Sequence, residues 1–487
     1  MGKAQIDSIK KILSEQAIST DTDKYTFKNP VMDGFKEPSA RACPKDEKEL
    51  QKLIQLACEK DINLTVVSST GGSQMSGRGA KKENVLIDLS GWKEISWINR
   101  RNRVCIVQPG VTYPQLNKAL KPHGMTVATP LCPRSGKSVI ASSTDREPNI
   151  WANRQWDIAD PVASTEFIFG NGEFFRTGSG GGPGTLEEQR ATGGAQKCPI
   201  GPSQTDFHRV VGGSQGTMGI FTWISMRCEL LPSIEKPFLV EAPSLSKLTG
   251  YVYEVQRPWF GEHSFILNNT AAAWLMAKTS DKPLEPVQKS LPPFVCLQNI
   301  AGFERLPEER VKYQEKDIKD IAASHNLTLQ PRISMVWARD LLNAARGDSG
   351  EDDWRNVQKG ACLRIFFLTT LDKAGKLADL FIEEAAKKSV DKKDIGLYFQ
   401  PVVQNHACHV ECMVPYDPSD KKDVGAMKAL EGKIVPALAK AGAFFSRPYG
   451  KAGNVVYKQN PPAYDMLKKV KTIFDPKGIL NNGKWGL

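Results

Sequence analysis

The chain has 487 residues, of which 40% are hydrophobic and 24% charged, a composition typical of a soluble globular protein with more than one domain. It contains no run of about 18 apolar residues and no apolar stretch near its start, so we expect neither a membrane span nor a secretory signal. The net charge of +11 is spread along the chain and follows no nucleic-acid-binding motif. The ten cysteines include no CxxC pair, which argues against zinc or iron–sulfur ligation and favours a cytoplasmic location.

The first predicted elements are an amphipathic helix and three strands. After Pro44, the residues Leu50, Leu53, Ile54 and Ala57 recur at helical spacing. Short apolar runs then predict three buried strands, Leu64–Ser68, Val85–Ser90 and Val104–Gly110. A sheet flanked by helices is therefore expected in this part of the chain.

A hairpin and a second mixed region are predicted further along. The segments Ser164–Phe169 and Glu173–Thr177 flank Asn171-Gly172, a dipeptide that tight hairpin turns prefer. From about residue 236 to 440, strands such as Leu363–Thr370 alternate with helices. This alternation indicates a further α+β region.

One loop gives the first indication of chemistry. The segment SSTGGSQMSG, Ser68–Gly77, directly follows a predicted strand and offers hydroxyl groups and glycine-exposed backbone N–H groups. Such groups can bind a pyrophosphate, although a solvated turn has the same composition. The loop is not a P-loop, and no GxGxxG segment opens a helix in a βαβ unit.

Several segments in fixed order form a more specific pattern. The loop is followed by VLIDLS, QPGVTYPQL, PRSGKSVIASS, STEFIFGNGEFFRTGSGG, GGSQGTMGIFT and FDPKGILNNGK. In this order the set closely resembles the vanillyl-alcohol oxidase / p-cresol methylhydroxylase (PCMH-type) flavoprotein superfamily over residues 40–232 and 440–487. The resemblance implies an α+β fold, in which a PCMH-type FAD-binding domain of two α+β subdomains carries an inserted α+β cap. We therefore expect FAD-binding parts at 1–235 and 441–487 and a cap, or substrate, domain at 236–440.

The resemblance also implies which residues contact FAD. Those of the pyrophosphate loop are Ser69, Thr70, Gly71, Gly72, Ser73, Ser76 and Gly77. Those of the later segments are Pro130, Gly136, Ser138, Ser142, Gly216, Gly219, Ile220, Asn482 and Lys484. Some members bind FAD covalently through histidine, tyrosine or cysteine. The pyrophosphate loop has no histidine, so we expect non-covalent FAD, with attachment from the cap left open.

Two positions match catalytic elements of the superfamily. Asp157 matches a carboxylate beside the flavin that acts as a base or stabilises positive charge, and a surface aspartate is the alternative. Arg447 matches an arginine at the flavin pyrimidine edge and the substrate oxyanion, and a structural ion pair is the alternative. Phenol oxidases of the superfamily carry tyrosine immediately before this arginine, whereas Ser446 occupies that position here.

The segment QNHACHVEC contributes two more catalytic candidates, His406 and His409. In a helix the HxxH spacing would suit a metal, but VECMVPY alternates like a strand. A strand places His409 and Glu411 on one face and His406 on the other, so we expect no metal. A histidine facing the substrate and a structural histidine remain as alternatives.

The resemblance implies an FAD-dependent oxidoreductase that transfers a hydride from its substrate to flavin N5. The first hypothesis is an oxidase or dehydrogenase of an alkylphenol or of an aryl or secondary alcohol. The second is the flavoprotein subunit of a 2-hydroxy-acid dehydrogenase that passes electrons to an iron–sulfur protein or electron-transfer flavoprotein. The third is a non-catalytic FAD-binding electron-transfer subunit, suggested by departures from the superfamily pattern at Thr70, Ser142 and Ser446. The expected partners are a small organic substrate and a redox protein such as a cytochrome, and homodimers are common in the superfamily.

Overall fold

The computed structural model describes residues 3–20, 31, 36–71, 82–152, 161–182, 184–191, 201, 207–403 and 405–484. Its helices are α1 (Lys3–Lys10), α2 (Glu47–Lys60), α3 (Tyr113–Leu120), α4 (Val139–Thr144), α5 (Leu186–Ala191), α6 (His208–Val211), α7 (Leu245–Gln256), α8 (Asn269–Ser280), α9 (Leu284–Ser290), α10 (Pro307–Ser324), α11 (Ala338–Arg346), α12 (Leu371–Ala386), α13 (Lys421–Lys440), α14 (Lys451–Gln459) and α15 (Pro461–Phe474). Its strands are β1 (Ile18–Ser19), β2 (Ala40–Ala42), β3 (Asn63–Val67), β4 (Asn84–Asp88), β5 (Ile95–Asn99), β6 (Val104–Val107), β7 (Met125–Thr126), β8 (Val162–Phe169), β9 (Phe174–Arg176), β10 (Gly219–Arg227), β11 (Glu229–Leu230), β12 (Ile234–Ala242), β13 (His263–Asn268), β14 (Phe294–Gly302), β15 (Leu329–Gln330), β16 (Arg332–Ile333), β17 (Val336–Trp337), β18 (Ala361–Thr369), β19 (Gly396–Val402) and β20 (Ala407–Tyr416). Within these ranges, no helix combines the length and apolar character that crossing a bilayer requires.

The N-terminal sheet has the strand order β1-β2-β4-β3, and β4 runs parallel to both β2 and β3. Helix α2 begins after Asp46, whose side chain accepts a hydrogen bond of 2.9 Å from the Glu49 backbone N–H. The helix buries Leu50, Leu53 and Ile54 against this sheet. The predicted amphipathic helix and the predicted strands on either side of the glycine-rich loop are thus confirmed.

The second sheet is antiparallel, with the order β5-β6-β10-β8-β9. Strands β8 and β9 form the hairpin predicted at Asn171-Gly172, and the Gly172 N–H donates to the Phe169 carbonyl at 2.9 Å. Gly172 has φ +86°, and a Cβ there would lie 2.5 Å from the Gln55 side chain of α2. Glycine is therefore required both by the turn and by its contact with the N-terminal sheet layer.

The third sheet has seven strands in the order β15-β12-β14-β13-β19-β20-β18. Helices α7, α10, α12 and α13 pack on one of its faces, through a cluster that includes Leu248, Ile318, Phe381 and Ile434. Helices α8 and α11 cover part of the other face. The strand β18 lies at the edge, next to β20.

The C-terminal segment returns to the N-terminal sheet. Leu480 forms a parallel bridge with Leu64, and the Leu64 N–H donates to the Ile479 carbonyl at 2.8 Å. These contacts support the division into residues 1–235, 236–440 and 441–487, which we retain as a proposal.

A buried ion pair fixes this return. Lys471 Nζ lies 2.7 Å from Asp475 Oδ2 and donates to the Thr217 carbonyl at 2.7 Å. The same carboxylate accepts the backbone N–H groups of Ile479 and Leu480 at 3.0 and 2.9 Å. One aspartate therefore neutralises a buried lysine and orders the chain that follows it.

We expect Asp475→Ala to lower the free energy of unfolding by about 3–5 kcal/mol, because it leaves the Lys471 ammonium group buried without its counter-ion. Urea denaturation would measure the loss. Asp465→Ala is the matched control, since Asp465 forms an exposed pair with Lys468 on the same helix, and such pairs contribute about 0–1 kcal/mol. Equal losses in the two variants would contradict this account.

Candidate active site

A cavity with about 1370 Å³ of atom-free space lies where the two N-terminal sheets, the seven-stranded sheet and the C-terminal segment meet. Ser69, Ile140 and Ile220 contribute to its wall from the N-terminal part. Arg364 and Phe366 contribute from β18. The C-terminal contributors are Arg447, Tyr449, Asn481 and Lys484. All three predicted parts of the chain therefore surround one space.

The two segments predicted to line FAD are bonded to each other. The Ser138 N–H donates to Ser69 Oγ at 2.9 Å, and the Thr70 N–H donates to the Gly136 carbonyl at 3.0 Å. A Cβ on Gly136 would lie 2.1 Å from Thr70 Oγ1, so only glycine fits beside this loop. Arg134 Nη1 also donates to the Thr70 carbonyl at 2.7 Å. The loop is thus held in place by residues about 65 positions later in the sequence.

The predicted cofactor residues differ in their position relative to the cavity. Its lining includes Ser69, Gly216, Gly219, Ile220, Arg447 and Lys484. The lining does not include Thr70, Gly71, Pro130, Gly136, Ser138, Ser142 and Asn482, although each is one or two positions in sequence from a lining residue. Outside the described residues are Gly72, Ser73, Ser76, Gly77 and the predicted base Asp157. The cofactor roles of all these residues remain predictions.

The C-terminal turn meets the small-residue loop GGSQGTMG. Gly216 has φ +73°, and a Cβ there would lie 2.4 Å from Asn481 Nδ2. Asn481 Nδ2 donates to the Gln215 carbonyl at 2.7 Å. Asn481 Oδ1 is buried and has no hydrogen-bond partner among the described residues. A polar group of a ligand in the cavity would satisfy it.

Positive charge predominates in the cavity wall. Among the described residues, six basic side chains line it, Arg134, Lys137, Arg355, Arg364, Arg447 and Lys484. Three acidic side chains from the same part of the chain line it, Asp145, Glu147 and Asp353. The excess favours an anionic ligand.

Two of the arginines are neutralised by a buried ion cluster that sequence analysis did not identify. Arg355 Nη2 donates to Glu411 Oε2 at 3.0 Å, and Arg364 Nε donates to Glu411 Oε1. Asp353 lies 3.1 Å from Arg355 and 3.6 Å from Arg364. Burial opposes ionisation of Glu411, but the two guanidinium groups hold its pKa well below the usual range. The available signal was Arg364 itself, a charged residue inside the apolar strand LRIFFLTT.

His409 lies behind the cavity wall. The structure confirms that its segment is a strand, β20. Its ring is 5.9 Å from Phe366 and 5.8 Å from Tyr398, centroid to centroid, and its Nε2 lies 3.9 Å from Glu411. Burial, together with the charge of Arg447, lowers the pKa of His409 to about 4, so the ring is neutral near pH 7.

His406 precedes the strand and is exposed, away from the buried His409. Across the part of the chain that the structure describes, no group of three or more metal-ligating side chains comes together. The HxxH spacing therefore does not create a metal-ligand cluster among these residues.

Arg447 lines the cavity from the C-terminal segment. It is buried, its guanidinium stacks 4.3 Å from the Phe366 ring, and Nη1 lies 3.7 Å from Asp145 Oδ2. Its Nε has no hydrogen-bond partner among the described residues. The Tyr449 hydroxyl donates to Asp145. The position before the arginine is Ser446, yet a tyrosine hydroxyl lies close to the same guanidinium.

Burial also shifts the pKa values of two other charged groups that line the cavity, Asp145 and Lys484. Burial raises the pKa of Asp145, and Arg447 and Tyr449 partly oppose this shift. Burial lowers the pKa of Lys484 to about 8, with Asp145 opposing the change. An added anion would favour the charged form of Lys484.

These features fit FAD. Its pyrophosphate would match the positive excess and the backbone groups of the Ser69 loop. Two buried polar atoms at the wall, Arg447 Nε and Asn481 Oδ1, lack protein partners among the described residues. The flavin end would lie near Arg447 and Lys484, where positive charge stabilises a reduced, anionic ring.

Comparison with known proteins agrees with this assignment. Residues 38–178 match the FAD binding domain, and residues 382–485 match the C-terminal domain of FAD linked oxidases. The mitochondrial D-lactate dehydrogenase [cytochrome] of Arabidopsis thaliana is 22% identical over 99% of this chain and 80% of its own length. The D-2-hydroxyglutarate dehydrogenase of Stutzerimonas stutzeri is 20% identical over 99% of this chain and 98% of its own length.

Solved structures show the same fold. The 4-ethylphenol oxidase from Gulosibacter chungangensis superposes with a TM-score of 0.82 at 17% identity, covering 100% of this chain and 98% of that one. Substrate-bound p-cresol methylhydroxylase superposes with a TM-score of 0.79 at 17% identity, with the same coverage of both chains. The predicted α+β architecture is thereby confirmed. With its two FAD-linked domains and this fold, the chain belongs to the PCMH-type FAD-binding oxidoreductases, the vanillyl-alcohol oxidase / p-cresol methylhydroxylase superfamily.

Proposed function

We propose that this FAD-dependent oxidoreductase oxidises a small substrate with an acidic oxygen, foremost an alkylphenol or an aryl alcohol with a phenolic hydroxyl, at a carbon that gives up a hydride. The observation that carries the proposal is Arg447, whose buried guanidinium lines the cavity and keeps Nε without a partner among the described residues. A fixed cation in a water-poor site is well suited to hold a phenolate or carboxylate oxygen.

The chain's own residues would bind and orient both molecules. The Ser69 loop, Arg134 and the Gly216 loop would hold FAD, preferably without a covalent bond, and FAD would supply the hydride acceptor. Arg447 would orient the acidic oxygen, with Phe366 fixing the guanidinium plane. Tyr449 also lines the cavity, and its hydroxyl donates to Asp145, the carboxylate beside Arg447.

For proton transfer, Asp157 remains the predicted base, and it lies outside the described residues. His409 is neutral but lies behind Phe366, so we assign it a positioning role through Glu411 and the two arginines of the ion cluster. His406 is exposed, and its location offers no support for a catalytic role.

A 2-hydroxy acid is the second candidate substrate. The matches to D-lactate and D-2-hydroxyglutarate dehydrogenases span 99% of this chain, and a substrate carboxylate would suit Arg447 as well as a phenolate does. In this case a redox partner protein is the proposed electron acceptor. The electron-transfer subunit without its own substrate is the remaining alternative.

Anaerobic titration of the FAD-loaded protein tests the proposal. We expect 4-alkylphenols or aryl alcohols to bleach the oxidised-flavin absorbance. Bleaching by 2-hydroxy acids alone would select the second candidate. Reduction by neither class, with reduction by a partner protein, would contradict both and favour the electron-transfer subunit.

The variant Arg447→Lys tests the role of this residue. We expect a loss of about 10- to 100-fold in kcat/KM, because lysine lacks the planar donor set and a charged hydrogen bond contributes about 1.5–3 kcal/mol. The control is Arg332→Lys, since Arg332 also stacks on an aromatic ring, Trp337, but is exposed. An unchanged kcat/KM in Arg447→Lys, with FAD content equal to that of the wild type, would contradict the role of this residue.

The buried neutral state of His409 predicts a pH dependence of stability. Its folded pKa of about 4 lies below the unfolded value of about 6.5, so the unfolded state binds the extra proton first. The resulting stability is complete above pH 6.5 and is lost as the pH falls toward 4, amounting to about 2 kcal/mol between pH 7 and pH 5.

Urea denaturation at both pH values measures this change. We expect His409→Gln to lose about 2 kcal/mol less than the wild type between them. The exposed His406→Gln serves as the control and should behave like the wild type. Identical pH dependence in all three proteins would show that His409 is not buried in its neutral form.

A further inference from the structure

A second cavity, with about 470 Å³ of atom-free space, lies directly beside the first. Among the described residues, four side chains line both spaces, Arg364, Phe366, Arg447 and Tyr449. These four side chains therefore form the boundary between the first cavity and the second.

The second cavity runs along the outer edge of β18, on the side away from β20. Leu363, Arg364, Ile365 and Phe366 are consecutive residues of this edge strand, and all four line the space. Side chains of consecutive strand residues point to opposite faces of a sheet. A space that touches all four must lie beside the strand rather than on one face. We call it the edge chamber.

The wall of the edge chamber is mainly apolar. Its apolar side chains other than the boundary Phe366 are Val31, Leu363, Ile365, Val435, Phe445 and Ala452. Among the described residues of this wall, the charged residue other than the two boundary arginines is Glu431, which is buried on α13. Such a wall favours a hydrocarbon group.

We propose that the edge chamber accepts an apolar substituent of the substrate, an alkyl chain or ring, while the acidic oxygen of the same molecule contacts Arg447. The inference rests on the proposed function in assigning that oxygen to Arg447. It narrows the substrate to a phenol or 2-hydroxy acid with a hydrocarbon extension. Arg447 and Phe366 border both spaces, so a ligand bound at Arg447 lies next to the edge chamber.

Calorimetric titration of the FAD-loaded protein with straight-chain alkanoates tests this inference. Butanoate, hexanoate, octanoate and decanoate carry the anionic group but no hydroxyl group to oxidise. We expect affinity to rise about fourfold for each added methylene until the chamber is filled, as burial of hydrocarbon predicts.

Two matched variants locate the effect. Ala452→Leu adds bulk to the chamber wall and should abolish the dependence on chain length while leaving butanoate affinity within about twofold. Ala439→Leu, a half-buried position on α13 that does not line the chamber, should retain the dependence. Thermal unfolding of both variants verifies that they fold.

The outcomes separate the two proposals. Affinity that is independent of chain length in the wild type, or equally dependent in Ala452→Leu, would overturn the chamber's role. Chain-length dependence that Ala452→Leu removes, in a protein that oxidises neither phenols nor hydroxy acids, would support the chamber and overturn the proposed function. Oxidation of these substrates without chain-length dependence would do the reverse.

Discussion

Two guanidinium groups and two carboxylates are buried together where β18 and β20 approach the cavity. Removing each ion from water costs several kcal/mol, and mutual contact with good geometry offsets this cost. Arg355, Arg364, Asp353 and Glu411 therefore constrain one another's positions. The register that pairs Phe366 with Glu411 brings Arg364, two residues earlier on β18, within reach of the same carboxylate. The part of the cavity wall that β18 contributes depends on this cluster.

Because the charges of this cluster balance one another, the net positive charge of the cavity wall lies elsewhere. Glu411 and Asp353 balance Arg355 and Arg364, and Glu147 lies 3.0 Å from Lys137. Net positive charge remains at Arg134 beside the Ser69 loop and at Arg447 and Lys484, which share the carboxylate of Asp145. The first suits a pyrophosphate, and the second suits a reduced flavin and an acidic substrate oxygen.

Local signals in the sequence were sufficient for much of the fold. Helix α2 follows from its apolar spacing and the cap at Asp46, and the hairpin follows from Asn171-Gly172. The ordered motifs identified the superfamily, although each motif alone is weak. The ion cluster was missed because its members are up to 58 residues apart and become partners only when β18 pairs with β20. Tyr449 was missed for a similar reason, since only the folded loop brings its hydroxyl to Asp145.

We propose above all that Arg447 binds the acidic oxygen of the substrate in the cavity that would hold FAD. A crystal structure of the FAD-loaded protein, soaked anaerobically with a 4-alkylphenol, tests it most directly. The account predicts the phenol oxygen within hydrogen-bonding distance of the Arg447 guanidinium, with the ring in the cavity beside Phe366. A phenol whose oxygen lies away from Arg447 would contradict it. FAD bound elsewhere than along the Ser69 loop would also contradict it.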